Sequence, residues 1–309
     1  MKLGPIAAAL TLGAIAGCGG DVEPGPDYAH YRAAPTPLRL IEVMSGKSNA
    51  ERQEIVAQAL RDRAIPFRIE PFQDAVGQSH NIIAESGTGP AILVIAAHTD
   101  RVPVSPGAND NASCVVTAIA AFEELSRSAP LANVTIRFLF TDSEERGLRG
   151  SRSHVAALGA QRVAAAISLE LCGIGDSIGI WDVHGPAAGS SVVAAVSEAA
   201  KNLGIYHGLH GRVPRYTSDH FSFAAKGMPA VGLTTLPRDD EAVLRDYVDH
   251  PDRLKWLIPW LRPRIFQSYH NIHDAPDTIE PRAIDMTARV AAATAVIFDR
   301  LIGAAGRGN

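Results

Sequence analysis

The sequence predicts an α/β fold, a mixed but mostly parallel central sheet sandwiched between helices. Three observations carry this expectation. Ala91 to Ala97 is an unbroken apolar run, AILVIAA, the pattern of a strand covered on both faces. Stretches of this kind alternate along the chain with helical patterns, the order that lays helices on both sides of a sheet. Finally, 46% of the residues are hydrophobic but only 6% are aromatic, so a large core can form and must be built of Ala, Val, Ile and Leu. The 33 acidic and 29 basic residues leave a net charge of -4, without the basic surplus that nucleic-acid binding calls for. Three cysteines are too few for a disulfide framework.

The N-terminus reads as an address. Lys2 precedes an apolar tract, Gly4 to Gly17, that is too short to span a bilayer and suits a signal peptide. It closes on Ile15-Ala16-Gly17-Cys18, which resembles the lipobox of bacterial lipoproteins. That resemblance implies removal of residues 1–17, a lipid on Cys18 as the membrane link, and a cell-envelope location. Gly19 after the cysteine implies outer-membrane sorting. Asp21 to Pro37 holds four prolines, so residues 18–37 read as a tether and 38–309 as the folded domain.

Within that domain, Ser48-Asn49-Ala50-Glu51 is a capping box that opens a helix to about Arg63. Pro66 to Phe72 and His80 to Ser86 read as strands able to pair as an antiparallel edge. After the buried strand, Asn111 to Arg127 is a helix with Val115, Ile119 and Phe122 on one stripe. Asn133 to Phe140 is a strand, Ser151 to Leu158 a short helix, and Val163 to Leu171 and Ser177 to Val183 are strands. Ser190 to Leu203 is a helix and Ala230 to Thr235 a buried strand. Pro281 stands at the first position of a last helix, with Val290, Ala293, Ile297 and Leu301 on one face. Arg238 to Gln267, with Trp256 and Trp260, is long for a plain loop. It is expected to be functional or locally helical, and to lie over the site as a partial lid with both tryptophans packed on the body or the substrate pocket.

Familiar motifs fail. Ser45-Gly46-Lys47-Ser48 ends like a phosphate loop but has Ile41 where glycine is required. Gly173, Gly175 and Gly179 miss the dinucleotide spacing, and neither a G-x-S-x-G elbow nor an H-E-x-x-H helix occurs. What remains is a series of histidines and carboxylates at strand ends, where open α/β sheets bind ligands. His98 and Asp100 follow AILVIAA, and a carboxylate beside a histidine suits a metal ligand and the group that orients it. Asp110 stands at the mouth of a helix, where it also has the appearance of an N-cap. Asp142-Ser143-Glu144-Glu145 follows an apolar strand, and Glu170 closes another, where a lone buried carboxylate needs a cation or a bonded partner. His273-Asp274-Ala275-Pro276-Asp277-Thr278 precedes the last helix.

AHTD, SPGANDNAS, FTDSEERGLRGS, SDHFSFAAKGMPAVGL and HDAPDT, in this order, resemble the di-zinc aminopeptidases, which include bacterial leucyl aminopeptidases and, more distantly, glutamate carboxypeptidase II. The likeness spans roughly residues 38–303. It implies the zinc-dependent exopeptidase fold, two zinc ions, and a peptide substrate cleaved at its N-terminus through a zinc-bridging hydroxide. By the same likeness His98 and Glu170 bind one zinc, Glu145 and His273 the other, and Asp110 bridges them. Asp100 would orient His98 and Glu144 would be the general base; Tyr216 is either a donor to the oxyanion or a packed aromatic at a loop base. His270 is a rival to His273, which is preferred because H-x-x-x-D-T then matches. Three features depart from the family pattern: Glu170 in place of Asp, Cys114 in place of Gly, and the long 238–267 segment. Two other readings stand beside it: a glutaminyl cyclase-like acyltransferase with one zinc, which keeps a comparable ligand set, and a non-catalytic binding module on this fold, a class that loses ligands, whereas here Glu144 and the expected ligands are all present. Cys114 and Cys172 follow Asp110 and Glu170 closely enough that a disulfide between them is one alternative and two separate packed thiols the other.

Overall fold

The computed structural model describes residues 36–128 and 130–307. The expected leader, Cys18 and all of the expected tether but its last two residues lie outside them. The described chain opens with α1 (Pro37–Met44), capped by the Thr36 hydroxyl, and α2 (Asn49–Asp62), whose capping box has both of its reciprocal bonds. A hairpin, β1 (Phe67–Asp74) and β2 (Gly77–Gly87), precedes β3 (Ala91–His98), which is buried along its whole length. Then come α3 (Ser113–Ser126), β4 (Val134–Thr141), α4 (Arg149–Ala157), β5 (Val163–Leu169), β6 (Ser177–Trp181) and α5 (Ser191–Asn202). The chain continues through β7 (His207–Leu209), α6 (His220–Ala224), β8 (Ala230–Leu236), α7 (Glu241–Asp249) and α8 (Pro281–Arg307).

The eight strands form one sheet in the order β1-β2-β4-β3-β5-β8-β6-β7. Pairs β3/β4, β3/β5, β5/β8 and β6/β7 are parallel, whereas β1/β2, β2/β4 and β6/β8 are antiparallel, so the expected mixed, mostly parallel sheet is present. Strand alternation divides the core. Leu93, Ile95 and Ala97 join α1, α2, α3, α5 and α8 on one face, while Ile92, Val94 and Ala96 join Val155 and Phe223 on the other. The α3 stripe of Val115, Ile119 and Phe122 is buried, as are Val290 and Ile297 of α8.

A third apolar cluster lies beyond the sheet's β6 and β8. It gathers Leu171, Trp181 and Leu236 with Leu244, Tyr247, Trp256, Ile265 and Phe266 from the 238–267 segment. That segment consists of α7 and a series of short 3-10 turns. Trp256 is buried and its indole donates to the His250 carbonyl at 3.0 Å, but Trp260, expected to pack as well, is 74% exposed. Trp256, Ile265 and Phe266 take the inward places of the segment, and Trp260 shares the outward side with exposed Leu254, Leu257 and Leu261. Cys114 and Cys172 are both buried and free, so the packed-thiol alternative holds. The Cys172 amide donates to the Cys114 sulfur at 3.2 Å.

Candidate metal centre

Parallel pairing brings the ends of β3, β4 and β5 to one edge, and the polar residues leave from there. His98 is in register with Thr141, so the 98–100 and 142–145 turns start side by side. His98 Nδ1 lies 3.4 Å from Asp100 Oδ1, and Nε2 lies 3.2 Å from Asp110 Oδ1 and 3.7 Å from Glu170 Oε2. Asp100 has a second duty. Its two oxygens accept the backbone N–H groups of Glu144 at 3.0 Å and Glu145 at 3.1 Å. One carboxylate thus sets the histidine and the two-glutamate turn together.

Asp110 leaves a short irregular turn, Ala108–Ala112, ahead of α3. It is not a helix cap; its carboxylate points into the site and lies 3.2 Å from both His98 and His270. The turn is fixed from outside by Asp274, which accepts the Asn109 and Asp110 amides at 2.6 and 3.2 Å and the Ser105 hydroxyl at 3.1 Å. From behind, the buried Arg52 guanidinium donates to the carbonyls of Thr99 at 2.5 Å and Gly107 at 3.1 Å. It therefore ties α2 to both ligand-bearing turns. Glu170 follows the last residue of β5, and its Oε1 accepts the Ser218 hydroxyl, which leaves Oε2 toward His98.

His273 is not at this centre. It is exposed, and its backbone amide is turned to Asn271 Oδ1 at 2.8 Å. His270 stands where His273 was expected, with Nε2 at 3.1 Å from Glu145 and 3.2 Å from Asp110. Its ring is stacked on Tyr269 at 3.7 Å. The H-x-x-x-D spacing occurs twice, as His270–Asp274 and His273–Asp277, and the expected pair, the one followed by Thr278, holds the histidine that lies away from the carboxylates.

Burial and like charge set the electrostatics. Burial raises Glu144 well above the ordinary carboxylate range, helped by Glu170, Asp219 and Glu145 nearby and opposed by His98. Burial likewise pushes Glu170 up to about 7. For His270, burial works downward, but its bonds to Asp110 and Glu145 lift the imidazole to about 9. His98 behaves alike: burial opposes its charge, and Glu170 and Glu144 override this to hold its pKa well above normal. Two imidazoles facing four crowded carboxylates is an arrangement that calls for cations. Among the described residues, three groups bring their ligand atoms within 4.8 Å of one another: His98–Asp110–Glu170, Asp110–Glu145–His270, and His98–Glu144–Glu145. The first two share Asp110.

Beside Glu170 opens a narrow apolar cavity walled by Trp181, Tyr216, Leu244, Ile265, Phe266 and Tyr269. The 238–267 segment is thus a side wall of the site. Tyr216 lies in this wall, stacked on Phe266 at 4.1 Å. Tyr269, whose ring is stacked on His270, joins this wall to the carboxylate cluster. Burial raises its pKa most, and Asp110, Glu145, Glu144 and Glu170 all push it further.

The family model described as peptidase family M28 matches residues 81–295, well over half of the chain and all of the residues at this centre. The chain belongs to peptidase family M28. Among curated M28-like relatives, the probable lipoprotein aminopeptidase LpqL of Mycobacterium tuberculosis is 39% identical over 83 residues, 26% of this chain and 16% of LpqL. Among solved structures, the zinc aminopeptidase BSAP of Bacillus subtilis aligns with a TM-score of 0.55 at 22% identity, over 71% of this chain and 50% of BSAP. The glutaminyl cyclase of Fimbriiglobus ruber aligns with a TM-score of 0.65 at 17% identity, over 86% of this chain and 94% of the cyclase. The chain spans less than half the length of the curated relatives it matches. At these identities the structural likeness speaks for the fold, which this M28 chain shares with both kinds of enzyme.

Proposed function

We propose that this M28 chain is a zinc-dependent aminopeptidase. The observation that carries this reading is the pair of ligand groups, His98–Asp110–Glu170 and Asp110–Glu145–His270, joined through Asp110 with the Glu144 carboxylate beside them. Imidazole and carboxylate donors suit zinc, and both histidine Nε2 atoms face two carboxylates each, so the residues fit two ions bridged by Asp110. His270 takes the role expected of His273. When bound, zinc supplies Lewis acidity toward a peptide carbonyl and brings the pKa of water near neutrality.

The chain's own residues do the rest. Glu144, held by Asp100 through its amide and raised in pKa by burial, takes the proton of the attacking water and delivers it to the leaving amine. Asp100 keeps Nδ1 of His98 protonated so that Nε2 remains a donor toward the centre. Tyr269, strongly buried and kept neutral by the surrounding acids, offers its hydroxyl to the oxyanion, a role expected of Tyr216 from the sequence. The apolar cavity beside Glu170 receives the side chain of the N-terminal residue. The relative named as a lipoprotein supports the envelope reading, in which lipid on Cys18 anchors the domain. A Cys18→Ser chain that still partitions into membrane by its N-terminus contradicts that part.

The test is hydrolysis of leucyl-p-nitroanilide by the purified protein, lost with a chelator and restored by zinc. The N-acetylated substrate should be refused. Cyclisation of glutaminyl peptides without release of N-terminal residues would favour the cyclase reading, and absence of either activity the binding module.

A further inference from the structure

The apolar cavity beside Glu170 ends on a ring whose position a glycine decides. Trp181 closes β6 and is in register with Gly232 of β8, which is in turn in register with Ser168 of β5. Residues paired across a sheet project to one face, so Ser168, Gly232 and Trp181 form a row. Two residues nearer the metal centre stand Glu170 and Thr234, where the Glu170 amide still bonds the Leu233 carbonyl, and both line the cavity. The cavity therefore lies over this second row, with the Trp181 indole at its inner end.

Gly232 is what lets the indole lie there. It sits inside a strand and at no left-handed φ, so the backbone itself does not require glycine. The ring requires it: a Cβ at 232 would overlap the indole at Nε1, Cε2 and Cζ2. On its other side the indole meets the His220 ring at 84°, with centroids 4.8 Å apart. That imidazole is buried and fixed at both nitrogens. Nδ1 accepts the Ser168 hydroxyl at 2.6 Å, Nε2 donates to Asp182 at 2.9 Å, and Asp182 is paired with Arg212 at 2.8 Å. An indole lifted off the sheet thus has the cavity as its open direction.

The wall also limits the chemistry of an occupant. Leu171, Val213, Leu244 and Ile265 are aliphatic, Glu170 is turned to Ser218 and His98, and among the described residues none in the wall is basic. A charged side chain would lose its water there without gaining a partner. We infer that Trp181 is the end-stop of this cavity and that Gly232 sets its height, so that the pair selects peptides by the length of an apolar first residue. The inference rests on the aminopeptidase reading and names the residues that set its substrate class.

The test compares alanyl-, leucyl- and phenylalanyl-p-nitroanilide, with zinc content and melting temperature recorded for each protein. Gly232→Ala should lower the leucyl-to-alanyl ratio of kcat/KM by about tenfold or more, since one methylene in an apolar pocket is worth about 10–200-fold. Trp181→Leu should raise the phenylalanyl-to-leucyl ratio by about tenfold, and added to Gly232→Ala it should restore the leucyl-to-alanyl ratio. Calorimetric binding of leucinol and alaninol makes the same comparison without turnover: the parent should prefer leucinol, and Gly232→Ala should lose that preference. Ratios that stay at the parent's values in both single variants overturn the inference, as does an equal loss on all three anilides, which a packing role alone would give. If the leucinol preference behaves as expected but no anilide is cleaved, the aminopeptidase reading fails alone. If leucyl-p-nitroanilide is cleaved and no ratio moves, the end-stop fails alone.

Discussion

The centre has two sides built by different means. On one side His98, Asp100, Glu144, Glu145 and Glu170 leave the ends of β3, β4 and β5, and the sheet's register places them. Behind them stand buried Arg52 and the shared Asp100 carboxylate. On the other side His270 sits on a loop at a positive φ of 58°, half-buried, held by a stacked tyrosine rather than by a ladder. The strand side needs only the strands to form. The loop side depends on where a 30-residue connection and its short turns come to rest. The difference teaches that one metal centre can be over-determined on one edge and locally decided on the other.

Breaking the strand side should give the largest effects. Glu144→Gln should lower kcat by about 10²–10⁴ while zinc stays bound, because it removes the proton carrier and not a ligand. Glu145→Gln should instead lose zinc, and equal metal loss in the two variants would mean that the roles are exchanged. On the loop side, His270→Ala should cost more than about a hundredfold in affinity for one ion, above the range seen when a group that merely orients a ligand is removed. His273→Ala should titrate like the parent. A reversed pair of zinc titrations would restore His273 as the ligand.

Within the strand side, Glu170 is longer than the aspartate of the resembling family and is steadied by the Ser218 hydroxyl. Ser218→Ala should weaken zinc binding by about 10–100-fold without altering the fold, readable as a metal titration beside an unchanged melting curve. The smallest effect belongs to exposed Trp260 in the 238–267 segment. Trp260→Ala should move stability by no more than about 0.5 kcal/mol, whereas Trp256→Ala should cost about 3–5 kcal/mol, measured by denaturant unfolding. A large loss at Trp260 would mean that it packs on the body after all.

The same contrast decides what could be read from the sequence. The continuous run at Ala91 to Ala97, the capping box at Ser48 and the α8 stripe each carry a periodic or chemical signal, and each element is present near its expected bounds. Because strands could be read, the residues at their ends could be too, down to Asp110, whose resemblance to an N-cap was removed only by the family motif. The elements that were missed are short: β7 has 3 residues and α6 has 5, less than two turns of any pattern. Glu241–Asp249 is a helix inside a stretch whose length alone marked it as functional or locally helical, with no pattern to place its bounds. For His270 the obstacle was different. Two histidines three residues apart each satisfied the spacing, and only the backbone turn with Tyr269 stacked beside it distinguishes them. Arg52 shows the remaining gap: an arginine in an amphipathic helix reads as solvent-facing, yet it is fully buried and its pKa falls to about 10 chiefly through burial.

The central claim is that Asp110 joins two metal ions. Zinc-edge anomalous diffraction from crystals of the purified protein tests it most directly. Two peaks per chain are expected, one among His98, Asp110 and Glu170 and the other among Asp110, Glu145 and His270. A single peak at full occupancy, or any peak coordinated by His273, would contradict it.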